Sequence, residues 1–260
     1  MAYALVTGAA KGIGKAIAGK LAAKGFDLLL VDIDAENLVL TQQELQSLHH
    51  KVIEILAVDL SDAQTPQKIK TWSIPWHNEL KILVNNAAFG LNGAFETLSL
   101  SEQLNIIDVN VKAVVSLCHL FIPVLKKGED TYILNIGSNS GYQPVPYLNI
   151  YASSKAFIIS FTRSLRYELR NTNIQVTCVS PGSTDTNFVD RAGMGKAIRK
   201  TADKYNMTPE AVAHIAVKAL FNKKAETITG LSTKLGIFLS WLAPKSLSEK
   251  FGADIFQRQD

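Results

Sequence analysis

Six short apolar runs alternate with amphipathic stretches from one end of this chain to the other, and that alternation decides most of what it can fold into. The runs are Ala2–Val6, Asp27–Val31, Val52–Val58, Lys81–Val84, Tyr132–Ile136 and Ile174–Val179. They are continuous rather than alternating, as in strands covered on both faces. Between them lie helical stretches at Ile13–Lys24, Ala35–Leu48, Ser101–Leu125, Ile150–Arg170 and Pro209–Phe221. The fourth carries Phe157, Ile158, Phe161, Leu165 and Leu169 at helical spacing, which buries one face. Thr208-Pro209-Glu210 opens the fifth with an N-cap, a proline and an early acid. Strand–helix alternation predicts parallel pairing through right-handed crossovers, hence an α/β, doubly wound sheet of about seven strands. No linker or repeat divides the 260 residues, so one domain over 1–260 is expected. After the sixth run, residues 187–207 lack a clear strand and include Gly193 and Gly195. They are expected to form a lid over the carboxyl ends of the strands, where such sheets bind ligands.

Charge removes several classes of function. Charged residues make up 19% of the chain and the formal net charge is only +4, with the excess of base in the C-terminal part. No basic run with interleaved aromatics points to nucleic acid. The chain enters a strand pattern directly after Met1, without a secretory pattern. No apolar run reaches the ~18 residues of a membrane span. Cys118 and Cys178 lie in apolar stretches and read as buried thiols in a reducing cytoplasm. The five histidines show no ligand spacing, so no metal site is expected.

Thr7-Gly8-Ala9-Ala10-Lys11-Gly12-Ile13-Gly14 follows the first strand and leads into a helix. Glycines there permit a tight turn and let backbone approach a pyrophosphate, which a helix N-terminus stabilises. Asp32 ends the second strand, eighteen residues after Gly14. A carboxylate at that point accepts hydrogen bonds from an adenosine ribose and repels a 2′-phosphate, which favours NAD; Lys11 pulls the other way, toward NADP.

Tyr151 and Lys155 stand one helical turn apart, with Ser138 thirteen positions upstream. Residues at i and i+4 share a helix face. A cation beside a phenol stabilises phenolate and brings its proton exchange closer to neutrality, as a general acid/base at an oxygen requires. Asn110, an amide in the mostly apolar stretch Leu104–Val111, must be hydrogen-bonded if buried.

These motifs, with Asp59 after the third strand, Asn85-Asn86-Ala87-Ala88 after the fourth, and Pro181-Gly182 followed by Thr186, occur in one order. Together they resemble the short-chain dehydrogenase/reductase family over residues 3–187. Ala88 stands where the family usually has glycine. The resemblance implies a single-domain Rossmann fold and reversible hydride transfer between NAD(H), or alternatively NADP(H), and a carbonyl or secondary alcohol. It implies Tyr151 as acid/base and Ser138 as the hydroxyl that orients the carbonyl. Lys155 would tune Tyr151 and contact the nicotinamide ribose, and Asn110 would hold a water leading from Lys155 to solvent. It implies a cofactor site at Thr7, Gly8, Lys11, Gly12, Ile13, Gly14, Asp32, Asp59, Leu60, Asn86, Ala87 and Ala88. Tyr151, Lys155, Pro181, Gly182, Thr184 and Thr186 complete it. It further implies a homodimer or homotetramer paired through two long helices.

Phe89, Leu91, Tyr142, Val145, Tyr147, Leu148, Phe188 and Met194 surround the expected cleft and point to an apolar or lipid-derived ketone or alcohol. No arginine near the catalytic motifs calls for a substrate carboxylate. The segment 231–260 is apolar, with Leu235–Ala243 set between Lys234 and Lys245. It is expected to pack as a C-terminal helix on the domain or a neighbouring subunit, with contact to a membrane surface as the alternative.

Overall fold

Strand β1 (Tyr3–Thr7) is buried along its whole length and lies in the interior of a seven-stranded sheet in the computed structural model. The structure describes residues 2–184, 188–194 and 206–257. The other strands are β2 (Asp27–Asp32), β3 (Ile53–Ala57), β4 (Leu80–Asn85), β5 (Thr131–Ile136), β6 (Ile174–Ser180) and β7 (Glu226–Ile228). Their order is β3-β2-β1-β4-β5-β6-β7, every pairing parallel. The chain moves outward from β1 to β3 and then returns beside β1 as β4. That reversal opens a crevice at the carboxyl ends of β1 and β4.

Side chains alternate across each strand, so β1 and β2 feed two cores. Ala4, Val6, Leu28 and Leu30 face one; Tyr3, Leu5, Leu29 and Val31 face the other. Helices α1 (Gly12–Ala23) and α2 (Ala35–His49) cover the first with Ile17, Leu21, Leu38 and Leu45. The second lies beneath α3 (Thr65–Trp72), α4 (Leu100–Ile107), α5 (Ala113–Leu125) and α6 (Asn149–Glu168), through residues such as Ile69, Phe121, Ile158 and Leu165. A short turn of helix, α7 (Phe188–Arg191), precedes α8 (Pro209–Phe221), which returns to the first face with Val217 and Leu220. Two more helices follow, α9 (Leu231–Leu242) and α10 (Lys245–Phe256).

Four features differ from the sequence expectation. Helix α3 has a short, mostly polar sequence, TPQKIKTW, and only the need for a crossover between β3 and β4 announces it. Strand β7 is three half-buried residues at the sheet edge, too short to form an apolar run. The expected single C-terminal helix is two, parted at Ala243-Pro244, because a proline cannot donate to the preceding turn. Finally, α4 and α5 join through a π turn, Asp108–Lys112, so that Leu100–Leu125 is one helical stretch of 26 residues, long and apolar enough to cross a bilayer by length and composition. Its inner side nevertheless buries Val114, Leu117, Cys118 and Phe121 in the core beneath the sheet. Most of the expected lid falls outside the described residues, as does Thr186.

Candidate active site

The glycine turn is shaped by what a side chain would strike. Gly8 and Gly12 adopt φ of +66° and +57°, a region L side chains avoid. At Gly14 a Cβ would lie 1.9 Å from the Gly8 carbonyl oxygen and 2.4 Å from Asn86 Nδ2. Asn86 donates from that nitrogen to the carbonyls of Thr7 and Gly8, both at 3.0 Å. Thr7 Oγ1 accepts from the N–H groups of Asn86 and Ala87 at 3.1 and 3.2 Å. Thr7 and Gly14 therefore lie under the turn and hold it, while Gly8, Lys11, Gly12 and Ile13 line the cleft. No side chain caps the N-terminus of α1, which leaves that end open to an anionic group.

Asp32 ties two loops together. Its Oδ2 accepts from Ala10 N at 2.9 Å and its Oδ1 from Asp34 N at 3.0 Å, so the carboxylate sits at the cleft wall. Lys11 forms an ion pair with Asp34 at 2.8 Å. That contact, with hydrogen bonds from Asn37, holds the Asp34 carboxyl down at about 2. The ammonium that would favour a 2′-phosphate thus already has a carboxylate. Asp59, Leu60, Asn86, Ala87 and Ala88 continue the wall, and Pro181, Gly182 and Thr184 face it from the end of β6. Gly182 has Thr233 of α9 against it, where a Cβ would meet the Thr233 hydroxyl at 2.4 Å.

Ser138, Tyr151 and Lys155 meet at the other half of the cleft. Ser138 follows β5 and caps the 3-10 turn Asn139–Tyr142, its Oγ accepting from Ser140 N at 3.2 Å. Lys155 is buried on α6 and donates from Nζ to the Ile136 carbonyl at 2.8 Å; Nζ lies 5.7 Å from the Tyr151 ring centroid. Burial raises the Tyr151 phenol to about 12, with the Ser138 hydroxyl pulling the other way. Burial also lowers the Lys155 ammonium to about 8. The expected lowering of the phenol by Lys155 is not what sets it: desolvation does, and Phe188 of α7 covers the Tyr151 ring at a centroid distance of 4.8 Å. Gly90 permits this packing: a Cβ there would stand 3.0 Å from Tyr151 Cγ and 3.1 Å from Phe188 Cζ.

Asn110 is 1% exposed, in the π turn. It accepts from Phe89 N at 3.1 Å and donates to Phe89 O at 2.9 Å and Ser154 Oγ at 3.0 Å. Its side chain therefore fixes the Phe89 backbone to α6. Ser154, which the motifs do not include, completes the link by donating to the Tyr151 carbonyl at 2.7 Å. The i, i+3 spacing from Tyr151 was its one sequence signal.

The expected substrate wall is partly redrawn. Phe89, Val145, Leu148, Phe188 and Met194 line the cleft, whereas Leu91, Tyr142 and Tyr147 do not. The Tyr142 hydroxyl instead donates to Glu226 of β7 and lies 3.1 Å from Ser180 Oγ. Arg191 also reaches the wall, its guanidinium 4.7 Å from the Phe89 ring centroid, so the cleft does contain an arginine. No part of the motif set signals it, because α7 comes back over the site from forty residues beyond Tyr151. Helices α9 and α10 roof the cleft, whose volume is about 1590 Å³. No group of three or more potential metal ligands occurs among the described residues.

A glycine cradle at the β1–β4 switch point, facing Ser138, Tyr151 and Lys155 across one cleft, defines an oxidoreductase of the nucleotide-binding α/β class. Residues 2–221 match the family described as short chain dehydrogenase. The chain is 30% identical over 251 residues to a ketoacyl reductase of a Nostoc species, covering 94% of this chain and 85% of that protein. It is 34% identical over 212 residues to very-long-chain 3-oxoacyl-CoA reductase-A of Danio rerio, covering 80% and 63%. Among solved structures it resembles a short-chain dehydrogenase from Sphingobium yanoikuyae in complex with NADPH, at 26% identity and a TM-score of 0.81, covering 100% and 98% of the two chains. The chain belongs to the short-chain dehydrogenase family.

Proposed function

We propose that the protein catalyses reversible hydride transfer between a nicotinamide dinucleotide and the carbonyl or secondary alcohol of an apolar, lipid-derived molecule. The observation that carries this reading is the Ser138–Tyr151–Lys155 set, with Ser138 and Lys155 buried and Tyr151 half-buried, facing the glycine turn across one cleft. The residues fit a dinucleotide: Gly8 and Gly12 line the cleft where a side chain would narrow it, and the uncapped start of α1 is open to phosphate. The bound cofactor supplies the hydride. Lys11, Gly12 and Ile13 would hold its pyrophosphate, Asp32 and Asp59 its adenosine end, and Lys155, Gly182 and Thr184 its nicotinamide end.

Tyr151 performs the proton step. A phenol held near 12 is protonated at neutral pH, so it stands ready to donate to the oxygen of a carbonyl undergoing reduction. Ser138 donates a hydrogen bond to the same oxygen and orients it. Asp32 makes NAD the preferred cofactor: a 2′-phosphate about 4 Å away would meet a repulsion of roughly 4 kcal/mol at an effective dielectric near 20, and Lys11 is held by Asp34. The solved relative that holds NADPH marks the alternative. The apolar lining, and the acyl-carbonyl names of the two curated relatives, support a lipid-derived substrate. Homodimer or homotetramer formation fits Leu100, Leu104 and Phe157, exposed on α4 and α6.

Tyr151→Phe tests the assignment. It is expected to slow the chemical step by about 10² to 10⁴ with nucleotide binding retained, measured as single-turnover reduction of a ketone panel with NADH and with NADPH. Undiminished turnover in the variant would refute the assignment, and faster reduction with NADPH by the unaltered enzyme would overturn the cofactor preference.

A further inference from the structure

Helix α9 contains no buried residue. Leu231, Leu235, Phe238 and Leu242 repeat every three or four positions along one face, with Trp241 beside them, and all five are more than half exposed. The Phe238 and Trp241 rings stack at 6.4 Å. The opposite face, through Thr233, Ile237 and Ser240, looks into the cleft. On α10, Leu247 and Phe251 are also more than half exposed yet line the cleft, as does Leu239. The outer apolar stripe thus runs without a polar break over the rim and into the active-site mouth.

This hairpin is fixed in place. Asn92, fully buried, donates from Nδ2 to the Phe256 carbonyl at 2.9 Å and to the Tyr147 carbonyl at 3.1 Å. Thr233 packs against Gly182, and Ser248 Oγ donates to Ser240 O at 3.4 Å between the two helices. Helix α9 and the first residue of α10 carry two lysines, Lys234 and Lys245, and no acid, whereas Glu249, Lys250 and Asp254 follow within α10. Twelve residues make a helix about 18 Å long, too short for the ~30 Å hydrocarbon layer. One or two such helices present a few hundred Å² of apolar surface, well below the roughly 800 Å² per partner that a stable dimer buries. The apolar side chains and aromatic pair of α9, edged by Lys234 and Lys245, match an anionic lipid surface.

We propose that the α9–α10 hairpin docks on an anionic bilayer with Leu231, Leu235, Phe238, Trp241 and Leu242 in the interface and the cleft mouth facing lipid. An amphiphilic substrate then enters along Leu239, Leu247 and Phe251 without crossing water. The docking stands on the hairpin alone; the substrate route rests on the hydride-transfer reading above.

Co-sedimentation of the full chain with vesicles tests the docking, with no substrate or cofactor present. Phosphatidylcholine vesicles are compared with phosphatidylcholine–phosphatidylserine vesicles at low and high salt. Stronger, salt-sensitive binding to the anionic vesicles is expected. The triple variant Leu235→Glu, Phe238→Glu, Trp241→Glu alters none of the cleft-lining side chains. It is expected to bind at least tenfold more weakly while keeping its Tm and its turnover of a short water-soluble ketone. The pair Lys234→Glu, Lys245→Glu should lose the anionic preference alone. Turnover of a long-chain ketone presented in vesicles should fall with binding in the triple variant. Absence of vesicle binding by the unaltered chain, or equal binding by the triple variant, overturns the docking. A triple variant that only converts a dimer to a monomer, with no vesicle binding in either form, assigns the stripe to a second copy and also overturns it. Failure of the soluble ketone to turn over would instead strike at the hydride-transfer reading.

Discussion

Lys155 shows how far a residue's meaning depends on its surroundings. Its spacing from Tyr151 is visible in five letters of sequence, but its protonation is set by a cavity that those letters do not describe. Burial places its folded value near 8, below the 10.5 of an exposed lysine. A base whose folded value is depressed costs the native state stability in full below about pH 8, and that cost is relieved as the pH rises through 8 toward 10.5. Lys155→Met removes the buried charge and with it this dependence. The stability of the variant relative to the unaltered protein, from urea denaturation, should therefore be most favourable near pH 7 and decline by about 2 kcal/mol near pH 9.5. A difference that stays constant with pH would mean Lys155 is solvated in solution. Asn110 teaches the same lesson. The sequence demands only that a buried amide be satisfied, and its partners, the Phe89 backbone and Ser154, come from segments 21 and 44 residues away.

At the scale of elements, the glycine turn was legible because its constraint is local. A strand must reverse into a helix within a few residues, and the glycines mark where side chains do not fit. The spacing alone did not show that Gly8 and Gly14 serve different ends. Gly8 supplies a positive φ and a cleft surface; Gly14 lets the Gly8 carbonyl and Asn86 press against the helix start. Gly14→Ala should therefore act through packing. Forcing an extra carbon against backbone costs about 1–3 kcal/mol, or roughly 3–10 °C in Tm for a domain of this size. Nucleotide affinity should fall more than tenfold, read by scanning fluorimetry and cofactor fluorescence titration. An unshifted Tm with unchanged affinity would contradict this role. Helix α3 and strand β7 were the opposite case. Each is short, and each exists because the topology requires a crossover or an edge, so neither left a periodic trace.

Over the whole molecule, two cores back to back on one sheet hold both thiols. Cys118 lies under the sheet near Asn85 and Asn135, and burial raises it to about 12; Cys178, in β6, is raised to about 11. Both should resist a disulfide reagent at pH 8 in the native protein and react only at the rate of unfolding, monitored by absorbance with and without denaturant. A fast stoichiometric reaction at either would show that the sheet opens locally. The sequence by itself determined the sheet, its parallel crossovers, the glycine turn and the shared helix face of Tyr151 and Lys155, because each rests on periodicity or spacing within one or two elements. Only the tertiary structure decided the protonation of Tyr151 and Lys155, the partners of Asn110, the seating of Phe188 on the Tyr151 ring, the arrival of Arg191, and the roof made by α9 and α10. Those depend on which distant segments share a cavity, and desolvation and packing are properties of the cavity rather than of any one segment.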